Sequence, residues 1–134
     1  SPIKSVILRL GGLMGGDRFV AKYFSGKRND GANCPVNYVH KDDVVNLIAL
    51  TCEKIQSGIY NVSSDIVRSI RSLVEEVRDR INPEFRLNFG ALKYRDNQSM
   101  HMQGSINKLN GQIGKLEFTD FSIAIENTIK YYNK

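Results

Sequence analysis

Between residues 36 and 81 the apolar spacing changes repeatedly between that of a strand and that of a helix, which limits the fold more than any other feature. "VNYVH" (36–40) alternates and is rich in β-formers. "KDDVVNLIALTCEKI" (41–55) opens with Asp42 and Asp43, residues suited to capping a helix and to its positive end. It places Val44, Leu47, Ile48, Thr51 and Ile55 on one helical face, which Val45 and Cys52 widen. Gly58 ends that helix, and "IYNVS" (59–63) reads as the next strand. Ile66, Ile70, Leu73, Val74, Val77 and Ile81 then recur at helical spacing until Asn82-Pro83 stops them. Strand, helix, strand, helix predicts an α/β layered fold with parallel strands.

The flanks extend this rhythm. "VILRL" (6–10) is a short apolar run bounded by glycines and is expected to be a buried strand. Residues 18–25 suit a short helix, and 25–35 are dense in turn formers and read as loop. "FRLNFG" (85–90) is a weaker strand. Residues 120–132 form a helix with Phe121, Ala124, Ile125, Thr128, Ile129 and Tyr132 inward. Only two or three strands are visible, whereas parallel strands require neighbours and helices on both faces. With 134 residues the chain is one domain by length, yet it reads as part of a larger sheet.

Composition narrows the function class. The net charge of +5 is spread along the chain. Arg68, Arg71, Arg78 and Arg80 alternate with Glu75, Glu76 and Asp79, the pattern of a solvated mixed-sign helix face rather than a nucleic-acid footprint. No apolar run approaches the roughly 20 residues of a membrane span, and the first residues lack the apolar core of a signal peptide. Cys34 and Cys52 are too few for a disulfide scaffold and have no metal-ligand spacing. A cytoplasmic, membrane-free protein without a metal is expected.

The glycines at 11, 12, 15 and 16 raise the question of a phosphate cradle. With glycines at 12 and 15, the first glycine of G-x-G-x-x-G falls on Leu10. Gly11 and Gly16 have the separation of G-x-x-x-x-G-K-[ST], but Asp17 and Arg18 stand where Lys and Ser/Thr are required. An acidic residue beside a triphosphate has the wrong sign. Tyr23 and Lys27 show the Y-x-x-x-K spacing of an acid/base pair, yet Ser25-Gly26 between them disfavours the helical turn that would bring them together.

Taken in order, several segments resemble one family. "VILRLGGLMGGDRF" resembles a strand and loop usually written LRLGGLYGPGR, and "VNYVHKDDVVNLI" resembles R-D-F-I-H-V-D-D-V-A. "GIYNVSSD" resembles G-V-Y-N-V-G-S. "FGALKYRDNQSMHMQGSINKLNGQIGK" resembles G-A-L-P-Y-R-x-x-E-x-M followed by a D-x-S-K-L-x-x-x-L-G-W helix. The order and the span are those of the C-terminal half of an extended short-chain dehydrogenase/reductase of the NAD-dependent epimerase/dehydratase family.

The resemblance implies the C-terminal part of a Rossmann-type parallel sheet with the small substrate-binding lobe. Residues 1–63 would carry the last strands and a helix, and 64–134 mainly the substrate-binding lobe and C-terminal helix. It implies a parent protein that uses NAD or NADP on a nucleotide-sugar-like substrate, in an epimerase, dehydratase or reductase reaction. Leu10, Gly11 and Gly12 match the stretch whose backbone passes the nicotinamide and the reacting sugar, although a plain strand-end turn explains the same glycines. Arg95 matches an arginine that meets the substrate's diphosphate, for which its two-pronged guanidinium is suited. Lys27, with Lys22 and Arg28, would line the same anionic pocket unless these loop cations are simply solvated, and His40, between strand and helix, reads as an orienting, hydrogen-bonded histidine rather than a proton carrier.

The departures are equally specific. The family's phosphate loop, catalytic Y-x-x-x-K and Ser/Thr partner precede the matched strand and are not in these residues. Val36 and Asn37 replace the Arg-Asp common in sugar-nucleotide members, Gly12 replaces an asparagine, Gly16 a proline and Lys115 a tryptophan. No cofactor is therefore expected on the 134-residue chain alone, nor catalysis, and its unpaired first strand is expected to favour self-association through a sheet edge. A non-catalytic nucleotide-sensing module of the same fold is the alternative; a nucleic-acid-binding domain is favoured only by charge.

Overall fold

The computed structural model describes residues 3–18, 34–90, 96–97 and 99–133. In chain order these form β1 (Val6–Leu10), β2 (Gly12–Met14), β3 (Pro35–Val36), β4 (Tyr38–His40) and α1 (Lys41–Lys54). They continue through β5 (Gly58–Val62), β6 (Arg68–Ser69), α2 (Ile70–Ile81), α3 (Asn107–Ile113) and α4 (Phe121–Tyr132). The fold is mixed α/β with parallel strands. β1 pairs parallel with β5 from Val6↔Gly58 to Leu10↔Val62, and β2 pairs parallel with β4. β3 pairs antiparallel with β6, and on its other side Met102 N–H donates to Pro35 O at 3.1 Å.

Two apolar cores follow from this pairing. Strand periodicity sends Val6, Leu8, Tyr60 and Val62 to one face of the β1–β5 ladder, where Leu47 of α1 and Leu109 of α3 meet them. The second core joins Met14, Cys34 and Val36 to Leu73, Val74 and Val77 of α2 and to Ala124 and Ile125 of α4. Each such fully buried aliphatic side chain contributes about 1.5–3 kcal/mol relative to exposure.

Several local expectations change. The strand expected over 36–40 is cut at Asn37, because Pro35–Val36 pairs with β6 whereas Tyr38–His40 pairs with β2. Asp42 and Asp43 do not cap α1; His40 does, its ring accepting from Asp42 N–H. Asp43 instead reaches across to Thr119, accepting from its N–H at 2.9 Å and its hydroxyl at 2.8 Å.

β1 is not a fully buried strand: Ile7, on the face away from α1 and α3, is 51% exposed, and Leu10 at the strand end is 42% exposed. Val45, Ile48 and Cys52 of α1 are also exposed although they belong to its apolar surface. Ile66 lies before β6 in the open, and Tyr132 of α4 is exposed. Residues 85–90 are irregular; without a partner strand, Leu87 and Phe89 simply pack against the second core. The helix expected over 18–25 and the Tyr23–Lys27 pair lie outside the described residues, apart from Arg18.

Candidate functional site

Parallel sheets bind ligands beyond the carboxyl ends of their strands, and here four such ends converge. Leu10-Gly11 follows β1, Met14-Gly15 follows β2, His40 ends β4 and Ser63-Ser64 follow β5. The Gly11 N–H donates to Val62 O at 2.8 Å, so the β1–β5 ladder runs one bond past its last paired residue. Between β4, the segment after β5 and the residues preceding α4 lies a cavity of about 50 Å³, bordered by Tyr38, His40, Ser64, Arg68, Thr119 and Phe121. By volume it holds a few waters, not a sugar ring.

The glycines after β1 are demanded by the protein's own packing. A Cβ on Gly11 would stand 2.8 Å from Asn37 O, and one on Gly12 2.7 Å from the Tyr38 ring. One on Gly15 would lie 2.9 Å from His40 Nε2, in a backbone with φ +118° that few other residues adopt. The Gly15 N–H is also consumed, donating to Arg18 O at 3.1 Å. The N–H groups of Gly11 and Gly15 are thus both engaged by backbone carbonyls of the chain, and these residues do not fit a pyrophosphate cradle.

Asn37 is the polar centre of the strand ends. It is 2% exposed, and its amide donates to Ser64 O at 3.1 Å and Gly104 O at 2.8 Å while its oxygen accepts from Gly104 N–H at 3.1 Å. Ser63 Oγ donates to the same Gly104 carbonyl at 2.9 Å. Gly104 is thereby fixed one residue before Ser105-Ile106, where the chain re-enters the first core. Val36 is buried in the second core. Neither residue at the Arg-Asp positions presents a free polar group to a ligand.

His40 is 6% exposed, with Nδ1 accepting from Asp42 N–H at 3.3 Å. Nδ1 also lies 3.6 Å from an oxygen of the Asp42 carboxylate. Lys41 Nζ donates to Asp42 at 2.6 Å and thereby holds that exposed carboxyl below its usual range, with His40 adding to the effect. Deeper in the lobe, Glu76 accepts from Ser122 Oγ and faces Arg68, each at 2.6 Å, with Arg80 at 3.4 Å. Burial pushes the Glu76 carboxyl up, but the Ser122 and Arg68 hydrogen bonds and the two guanidinium charges outweigh it and hold it low. Arg68, stacked 4.3 Å over the Phe121 ring, is therefore a neutralised cation and not a free anion receptor.

Of the residues singled out by sequence, Leu10 pairs with Val62 and Gly12 with Tyr38, while His40 pairs with Met14 and lies beside Gly15, so Leu10–Gly12 and His40 occupy neighbouring strand ends without a contact between them among the described residues. Lys27 and Arg95 lie outside the described residues. Asn37, Ser63, Gly104 and the Asp43–Thr119 bridge were not anticipated; only the odd polar residue inside "VNYVH" signalled the first. Among the described residues no three His, Cys, Asp or Glu side chains form a metal site, and no helix is long and apolar enough to cross a membrane.

No protein-family model and no curated protein sequence matches this chain. Solved structures do match. UDP-glucose 4-epimerase from Thermotoga maritima, determined with UDP-glucose, superposes with a TM-score of 0.82 at 16% identity, over 98% of this chain and 46% of its own. UDP-N-acetylglucosamine 4-epimerase from Methanobrevibacter ruminantium, in complex with UDP-N-acetylmuramic acid, gives 0.81 at 19%, over 98% and 46%. The enzyme WbmH from Bordetella bronchiseptica, in complex with NAD+, gives 0.75 at 19%, over 96% and 45%. The chain has the fold of one part of such epimerase- and dehydratase-type enzymes and spans less than half their length.

Proposed function

We propose that this chain is the C-terminal, substrate-binding portion of an NAD(P)-dependent enzyme that epimerises, dehydrates or reduces a nucleotide-sugar-like substrate. The observation that carries this reading is the superposition of nearly the whole chain on two epimerases bound to UDP-sugar compounds. The backbone of Leu10, Gly11 and Gly12 would run beside the nicotinamide and the reacting sugar. Lys27, His40 and Arg95 would border the substrate, Arg95 gripping diphosphate oxygens with its two-pronged guanidinium.

The work of these residues is binding, orientation and exclusion of water. The dinucleotide itself, which supplies hydride transfer when bound, would be held elsewhere in the natural polypeptide, because the glycine loop here offers no cradle. Val36 and Asn37 are both engaged internally, which leaves anion recognition to Lys27 and Arg95. Hydride-transfer assays on the natural full-length polypeptide, with a panel of sugar nucleotides and both NAD and NADP, test the reading. Turnover supports it, and absence of cofactor binding overturns it. Titration of NADH into the 134-residue chain should show no micromolar binding.

A further inference from the structure

Beyond the strand ends, four stretches of chain meet at one residue. Asn37 parts β3 from β4, Ser63-Ser64 leave β5, Gly104 precedes α3, and Gly11 joins β1 to β2. The Asn37 amide donates to the carbonyls of Ser64 and Gly104 and accepts from Gly104 N–H, while Ser63 Oγ donates to the same Gly104 carbonyl. Gly11 closes the group from the other side. A Cβ there would stand 2.8 Å from Asn37 O and 3.3 Å from Ser63 Cβ, and one on Gly104 3.0 Å from Ser63 Oγ. The chain before Gly104 is laid along β3: Met102 N–H donates to Pro35 O at 3.1 Å, and Met102 pairs with Val36, next to Asn37. Met100 and Met102 are half-exposed there.

The partners dictate the side chain at position 37. Two are carbonyl oxygens and one is an N–H, so the group must donate twice and accept once, as a carboxamide does. An ionised aspartate has the same shape but only accepts, and would turn its charge toward two carbonyl oxygens. A hydroxyl donates once. Parallel sheets take ligands beyond the carboxyl ends of their strands, and both Gly11 and Gly104 lie there, against Ser63 at the end of β5. We propose that Asn37 is a positioning residue of the candidate site, a role that rests on the functional reading above. Through Gly104 it fixes the spacing between the Leu10–Gly12 backbone and the Met100–Gly104 segment, and with it how the substrate fits. It acts through the backbone it holds and touches no reacting atom.

The test compares Asn37→Asp, Asn37→Ala and Ser63→Ala in the natural polypeptide. At pH 7, amide protection at Met102 and Gly104 should fall about tenfold in both Asn37 variants, relative to Leu73–Val77 at the centre of α2. Lowering the pH should restore it in Asn37→Asp alone. Burial and the two facing carbonyls would hold that carboxyl above the ordinary value near 4, and once protonated it donates one bond again. Ser63→Ala leaves the carboxamide in place and serves if the Asn37 variants do not fold; about a threefold loss at Gly104 is expected. A loss shared equally by α2, no local loss, or no recovery in acid would overturn the proposal. Isothermal titration with UDP is the second readout. Its dissociation constant at pH 7 should rise about tenfold in Asn37→Asp, whereas that of NAD should change less than about twofold. Equal changes for both, or none, would overturn the positioning role. Amide exchange needs no nucleotide, so an unaltered polypeptide that failed to bind UDP would count against the functional reading alone.

Discussion

Leu73, Val74 and Val77 of α2 are enclosed by β2, β3 and α4, whereas Ile7, Ile48 and Ile59 of the other layer stand about half in solvent. Both layers are built from the same β-branched and aliphatic residues, and both have helices with an apolar face. They differ in whether the chain supplies the covering element. Around α2 it does: α4 returns from the far end of the sequence and closes the core with Ala124 and Ile125. Around β1 the described residues place α1 and α3 on one face only, so composition alone would not distinguish the closed core from the open one. An exposed apolar residue on a parallel strand is thus no sign that the strand itself was wrongly assigned.

The largest effect that can break this comparison comes from paired truncations. Ile125→Ala removes a fully enclosed side chain and should cost about 2–5 kcal/mol of stability, the range for large-to-small changes in cores. Ile48→Ala on the outer stripe should stay within about 0.5 kcal/mol in the 134-residue chain. Urea unfolding followed by far-UV circular dichroism suits a chain without tryptophan. Equal losses would mean that the β1 layer is closed in solution, by association or rearrangement, and the contrast would fail.

The seam between the layers gives the next effect. Asn37→Ala leaves the Gly104 N–H and the Ser64 carbonyl without their partner in a partly buried place. Orphaned buried groups cost about 1–3 kcal/mol each, so a loss of about 2–3 kcal/mol is expected. Amide exchange should rise most around Gly104, where the chain passes from one core to the other. A uniform loss with no local change would show that Asn37 serves its own strand and not the junction.

How much of this was legible follows the same division. The α4 and β1 spans and the end of α2 were readable because their apolar spacing is strong and α2 carries the stop signal Asn82-Pro83, whereas the start of α2 was not, since Ile66 continues the helical spacing although Arg68–Ser69 pairs as a strand. The identity of the α1 cap was not, since Asp42 and Asp43 are the better capping types and only tertiary placement gives His40 that role and sends Asp43 to Thr119. β2, β3 and β6 are two or three residues long, and strands that short leave no periodicity to read. For the candidate site, the glycine cluster was conspicuous, but its cause lay in Asn37, Tyr38 and His40, about 25 residues away. Contacts of that separation have no signature in one sequence. The likeness of ordered segments to a known family therefore located Leu10–Gly12 and His40 near strand ends, while the polar junction through Gly104 needed coordinates.

The smallest effect sharpens the closed side of the comparison through pH. Glu76 ties α2 to α4 through Ser122 and to β6 through Arg68, and Arg80 extends the network to Glu126 at 2.7 Å. Its carboxyl is held below the ordinary value near 4.3, so the folded protein releases that proton more readily than the unfolded chain. The stabilisation is then fully present above the ordinary carboxylate value and is lost as pH falls through the lower, folded value. Glu76→Gln removes the charge while preserving size and one acceptor oxygen. The variant should be less stable than the parent by about 1 kcal/mol at pH 7, as suits a partly exposed ionic network, and the gap should shrink as the pH drops below about 4. Urea midpoints measured from pH 7 to pH 3 give the two curves directly. Parallel curves with a constant gap would show that Glu76 acts by shape and hydrogen bonding alone, and that the α2–α4 closure rests on Ile125 and its apolar neighbours.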